Sequence, residues 1–202
     1  NLSDILLISK MIDTLENKTL DNLKLELLKN GNSNISFKEE NNIILAYHNK
    51  FGKSDLNLTK LENQCRNVIF SNNLKPLCYH FNEINYNPDN LKNIDLSKAI
   101  VQESIEGTTL VCFYHDDKWF VTTRRCLDAN KSLWIHNYSY KQLMDDVLCS
   151  KLENPTEDDK QKKVNEFFDI LDKNLCYFFV LVHPNNKNIV NNVNNKKLIH
   201  FM

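Results

Sequence analysis

The sequence predicts an α+β fold with a mostly antiparallel sheet and a small helical N-terminal appendage. Three observations lead to the α+β class. Strand-type runs come in pairs joined by short polar turns, as in Ile35–Phe37 with Ile43–Tyr47 and Thr108–Tyr114 with Trp119–Thr123. Helical stripes are interspersed with these hairpins and do not alternate with single strands. The run CYFFVLV at residues 176–182 is apolar throughout, the mark of a strand buried on both faces.

Taken in order, Ser3–Leu15 carries Ile5, Leu6, Ile8, Met11, Ile12 and Leu15 at helical spacing, with Ser3 or Asp4 as cap. Thr19–Lys29 repeats the pattern and Gly31 ends it. The leucine stripes fit packing on the rest of the domain better than a partner-binding helix. A hairpin then turns at Glu40-Asn41-Asn42, and a second one joins residues 64–70 to Leu74–His80, with Arg66 at its entry. Tyr79, Phe81 and Tyr86 form an aromatic cluster, and Ile94–Ala99 is a connector. Tyr138–Lys151 is an amphipathic helix, Asn154–Asp159 a charged break, Val164–Leu171 a further helix, Leu175–Val182 a central strand and Lys197–Phe201 a last strand. The expected division is residues 1–50 as appendage and 51–202 as main domain.

The stretch from Val101 to Trp134 organises the rest. A strand is expected to end at Gly107, followed by the hairpin, with Arg124 and Arg125 where that hairpin closes. A glycine where backbone must come close to something, beside delivered positive charge, suits a phosphate-binding floor. An ordinary meander whose glycine is a bulge fits the same residues.

Composition sets limits. The 202 residues carry a formal net charge of −1, so a basic site must be local. Heavy use of Asn and Lys, as in NNVNNKK, is what an AT-rich genome produces. The six cysteines show no CxxC pair and no metal-ligand spacing, and most lie among apolar neighbours. They point to free thiols in a reducing, cytoplasmic-type compartment. No signal peptide and no membrane-spanning run is present. No GxxxxGK loop, zinc-type His/Cys cluster or Ser/His/Asp grouping can be argued from spacing.

Three segments in order resemble one family, the phage-type RNA ligases within the covalent nucleotidyltransferases. CRNVIFSNNLKPLCYHF is similar to the family's arginine-glycine strand and the KFFN segment that follows it. SIEGTTL with the hairpin ending in TTRR is similar to the nucleotide-attaching KxDG motif and its basic strand. FVLVHPNNKNIV with KKLIHF is similar to the family's FEFVxPxNRIV turn. The resemblance spans about Leu56 to Phe201. It implies a nucleotidyltransferase fold, a pocket for ATP and Mg2+ in an active member, and RNA as partner. Divergent ligase-like proteins of large DNA viruses would suit the composition, with a place in the cytoplasm or a virion assembly.

The departures bear on the reaction. The family attacks the α-phosphate of ATP with a lysine, and the matching residue here is Ser104. Val180 stands where the family has a strand glutamate, and Asn67 where it has the glycine after its early arginine. The family's final EG and KxK strands are not found before Met202, which a sequence cut short would also produce. Arg66, Glu103, Glu106, Gly107, Arg124 and Lys187 match the nucleotide- and phosphate-binding positions, and no metal ligand is assigned. Glu103 and Glu106 could bind ribose or a metal, or pair with Arg66 or Arg124. Trp119 and Trp134 could stack on a base, though core anchoring suits them better. Three readings follow: a ligase-like domain without catalysis that binds nucleic acid or serves a viral assembly, an active divergent ATP-dependent RNA ligase, or an unrelated α+β protein.

Overall fold

A computed structural model describes residues 6–49, 57–80, 95–98, 103–133, 137–186 and 195–201. The described elements run α1 (Leu7–Asp13), α2 (Leu20–Lys29), β1 (Ile35–Glu40), β2 (Ile43–His48), α3 (Lys60–Gln64), β3 (Val68–Ser71), β4 (Pro76–Tyr79), β5 (Thr108–His115), β6 (Lys118–Thr122), α4 (Tyr140–Leu148), α5 (Glu157–Asp169), β7 (Tyr177–Val182) and β8 (Lys197–His200). They build two four-stranded sheets, ordered β1-β2-β3-β4 and β6-β5-β7-β8, and every pairing between these strands is antiparallel. The fold is therefore α+β, as the hairpin pattern predicts.

Alternation along the strands sorts the side chains into three cores. Ile44, Ala46, Val68 and Phe70 face outward from the first sheet onto the helical residues Ile8, Ile12, Leu23, Leu27 and Leu61. Leu110, Cys112, Phe179 and Leu181 face outward from the second onto Leu143, Met144 and Val147 of α4. Their neighbours Ile43, Leu45, Ile69 and Cys78 meet Val111, Phe113, Phe120 and Phe178 between the two sheets. The order is thus helix, sheet, sheet, helix. A strand buried on both faces has no polar positions, which is why IILA and YFFVLV read as unbroken apolar runs. Each fully buried Leu, Ile or Phe contributes about 2 kcal/mol. A one-residue slip would exchange two cores at once, so the register is firmly set.

The turns are set by small polar residues. Asn41-Asn42 and Asp116-Asp117 hold positive φ angles of 52° and 62°, and 46° and 58°, as two-residue hairpin turns between twisted strands require. The sheet continues across residue 50, since β2 pairs with both β1 and β3. The 1–50 segment thus supplies two of the first sheet's strands.

Several expectations need correction. Residues 103–107 are not a strand: Glu103 and Ser104 are exposed, and the ladder to β7 begins only at the Thr108–Leu181 pair. A Cβ on Gly107 would lie 2.5 Å from Val180 Cγ1 and 2.6 Å from the Leu181 carbonyl oxygen. The glycine therefore lets the chain approach β7 closely, and the partner it approaches is protein. Glu157–Asp159 belong to α5 and not to a break, because Thr156 caps the helix reciprocally with Asp159. The short α3 was not expected; Thr59 and Glu62 form a capping box at its start. Glu62 is fully buried and also accepts from the Asn34 backbone N–H at 2.8 Å. Ser3 and Asp4 lie outside the described residues. The N-cap of α1 is Leu6, and the Leu7 N–H is satisfied by Gln64 Oε1 at 2.8 Å.

Candidate functional site

The layer between the sheets is apolar through most of its area and turns polar at one end. There the loop between α3 and β3 carries Arg66. Backbone bonds on either side of it fix its place: the His48 N–H donates to the Cys65 carbonyl at 2.6 Å and the His80 N–H to the Asn67 carbonyl at 2.7 Å. Arg66 thus sits where the β2-β3-β4 ladder runs out, held from both flanks.

The second sheet delivers its cations to the same end. After β6, the Thr123 N–H bonds the Cys126 carbonyl at 2.9 Å and closes a tight turn with Arg124 and Arg125 at its tip. Buried Asn67 grips this turn, its Nδ2 donating to the Thr123 carbonyl at 3.0 Å and the Arg124 carbonyl at 3.2 Å. The Arg124 guanidinium donates to His48 Nε2 at 3.4 Å, and Arg125 to the His48 carbonyl at 3.5 Å.

His80 lies among these groups. It is 5% exposed and stands edge-on to Phe178 of β7, with ring centroids 5.7 Å apart at 89°. Burial, and then the charges of Arg66 and Arg124, lower its pKa from 6.5 to about 4. It is therefore a neutral imidazole at pH 7.

The predicted site residues divide accordingly. Arg66 and Arg124 reach the same end of the inter-sheet layer, since Asn67, next to Arg66, bonds the turn that carries Arg124. Gly107 abuts β7 at Val180, whose strand parity with Phe178 puts it on the inter-sheet face. Glu106 is half-buried, and Glu103 and Ser104 lie exposed in irregular chain. Lys187 and Trp134 lie outside the described residues. Asn186, just before Lys187, is buried and donates to Thr108 Oγ1 at 2.8 Å, tying the turn after β7 to the start of β5. Trp119 packs against Tyr114, Phe168 and Tyr177, the core role that suits it. His48 lies outside every motif, and although Asn67 and His80 fall within the CRNVIFSNNLKPLCYHF segment, neither is singled out there as a binding residue; the strand pairing gathers all three.

A cavity of about 510 Å³ opens between α4 and α5, lined among others by Asp145, Asp146, Cys149, Lys160 and Lys196. It lies on the opposite face of the second sheet. Its charges answer one another: Lys141 bonds Asp145 at 2.7 Å, Lys196 bonds Asp146 at 2.6 Å and Lys160 bonds Glu157 at 2.6 Å. His183, with Nδ1 accepting from the Asn185 N–H, presents Nε2 to Asp146 at 2.6 Å. This is a latch joining α4, the end of β7 and the start of β8. At the inter-sheet end cations from both sheets, Arg66, Arg124 and Arg125, gather around the Asn67 and His48 contacts, which makes it the candidate site for an anion.

All six cysteines are free thiols, and among the described residues no group of three His, Cys, Asp or Glu is arranged to hold a metal. Among the described residues no helix is long and apolar enough to cross a membrane.

No family model matches the chain. Over 99 residues it is 30% identical to a protein of Invertebrate iridescent virus 3 named Immediate-early protein ICP-46 homolog. The match covers 49% of this chain and 20% of that protein, so the chain spans about a fifth of the viral relative's length.

Proposed function

We propose that this chain is the ligase-like, phosphate-binding part of a viral protein, which holds nucleotide or RNA at the inter-sheet end without attaching it covalently. The observation that carries this reading is geometric: Asn67, next to Arg66, grips the turn that carries Arg124, so arginines from the two sheets reach one end of the inter-sheet layer. Two cationic side chains carried to one end of the layer attract a phosphate, because Coulomb attraction needs proximity and not a nucleophile. Similarity to the iridescent-virus protein supports the viral setting.

The covalent step lacks its parts. Ser104 is exposed in irregular chain, far from the buried setting in which a lysine amine is deprotonated and aimed at phosphorus. Its hydroxyl would need a base, and no histidine neighbours it in sequence. Val180 offers a methyl surface where a carboxylate would hold polar parts of a nucleotide. Incubation with labelled ATP and Mg2+ tests the proposal. The expected result is reversible, salt-sensitive binding that Arg124→Ala loses, with no acid-labile, alkali-stable adduct, and none on Ser104→Lys. A stable adduct on the natural chain would instead establish the active-ligase reading.

A further inference from the structure

Lys38, Tyr47 and Arg125 form a cluster beside the Arg66–Arg124 end that the proposed function does not use. Lys38 is exposed on β1, the edge strand of the first sheet. Its register partner is Leu45, so it shares the inter-sheet face with Leu45 and Tyr47. The Tyr47 ring has the Lys38 ammonium 5.5 Å from its centroid and the Arg125 guanidinium also 5.5 Å from it. The Lys38 ammonium donates to the Arg125 carbonyl at 2.7 Å, so it spans from the first sheet to the turn of the second.

This cluster adjoins the first site through one residue. Arg124 bonds the His48 ring and Arg125 the His48 carbonyl, and Arg125 also reaches the ring of the neighbouring Tyr47. The cations Arg66, Arg124, Arg125 and Lys38 therefore follow one another along the edge of the inter-sheet layer. Lys38 is satisfied by a carbonyl, which leaves its charge uncancelled by that bond. A single site for a mononucleotide would not need this second pair.

We propose that Lys38, Tyr47 and Arg125 form a second phosphate subsite, next to the one at Arg66 and Arg124, and that the ligand spanning both is the backbone of single-stranded nucleic acid. This rests on the proposed function and extends it. Tyr47 acts as a positioning residue: its ring fixes the two cations, and the cations meet the phosphate. A cationic track with an aromatic beside it is how single strands are held without reading sequence.

Fluorescence anisotropy with a labelled oligoadenylate, with unlabelled ATP as competitor, tests it. The natural chain should bind the oligonucleotide more tightly than ATP. Lys38→Ala and Tyr47→Leu should weaken oligonucleotide binding about fivefold, and Lys38→Ala should lower the log–log salt slope by about 0.7, one phosphate contact on a single strand. Competition by ATP should not change in either, and Tyr47→Phe should behave as the natural chain. Arg124→Ala should lose both ligands. If Lys38→Ala and Tyr47→Leu bind the oligonucleotide like the natural chain while Arg124→Ala loses it, the second subsite is refuted and the first stands. Equal affinity of the natural chain for ATP and oligonucleotide refutes it too. If neither ligand binds the natural chain, both proposals fall. Lys38 is exposed on an edge strand, so its substitution leaves the fold intact, which a thermal melt checks.

Discussion

Protonating His80 should destabilise the fold, and the structure sets the size of the effect. The folded imidazole titrates near 4 and the unfolded one near 6.5. Above pH 6.5 neither state binds the proton and the stability is full. As pH falls from 6.5 towards 4 the unfolded chain takes up a proton that the native chain refuses, so stability falls with pH across that window. Below about 4 both states are protonated and the loss stops growing. The displacement corresponds to about 3 kcal/mol at the acid limit. Asp145, whose carboxyl burial raises, works in the opposite direction, since the native state binds its proton first. The useful quantity is therefore the difference between the natural chain and His80→Phe, which keeps a ring against Phe178 and removes the titrating group. Urea denaturation of both proteins between pH 7 and pH 4 measures it. The natural chain should lose about 2–3 kcal/mol more than the variant. Parallel loss in the two proteins would refute the placement of His80 as a buried, cation-flanked neutral group.

Two further outcomes follow from the same geometry. Gly107→Ala should destabilise by about 1–3 kcal/mol, because its Cβ would meet the Val180 side chain and the Leu181 carbonyl and force β5 from β7; thermal melts report it. Asn67→Ala should cost about 1–3 kcal/mol by leaving the Thr123 and Arg124 carbonyls without its amide, and should weaken ATP binding by freeing the arginine turn, read from denaturation and from calorimetric titration together.

Much of the fold was legible because local chemistry dictates it. Asn41-Asn42 and Asp116-Asp117 are residues that tolerate positive φ, and each lies between apolar strands, so the hairpins follow from sequence. The central strand β7 declared itself by an apolar run with no polar face. What escaped was of two kinds. Short caps were misread: Thr156 and Asp159 form a reciprocal cap that looks, as letters, like a charged break, and α3 is too short to show periodicity. The other is the stretch before Gly107, which reads as strand, whereas residues 103–107 are irregular and the ladder to β7 begins only at Thr108.

The candidate site was legible only in its cations. Arg66 and Arg124 stand at positions within motifs, and Asn67, next to Arg66, bonds the turn that carries Arg124. His80, Asn67 and His48 belong to the site through pairing between distant strands and a register shift at Ile69–Phe70, none of which has a local signature. Tyr47 and Lys38 meet Arg125 across about eighty residues of sequence, for the same reason.

The proposed function puts a phosphate between Arg66 and Arg124, beside His80. Titrating the His80 imidazole by NMR, with and without saturating ATP, tests it most directly. Without ligand the midpoint should lie near 4. With ATP bound, the anion cancels the two cations that help depress it, so the midpoint should rise. A midpoint unmoved by bound ATP, with shift changes confined to the residues around Asp145 and Lys160, would place the ligand in the cavity between α4 and α5 and contradict the claim.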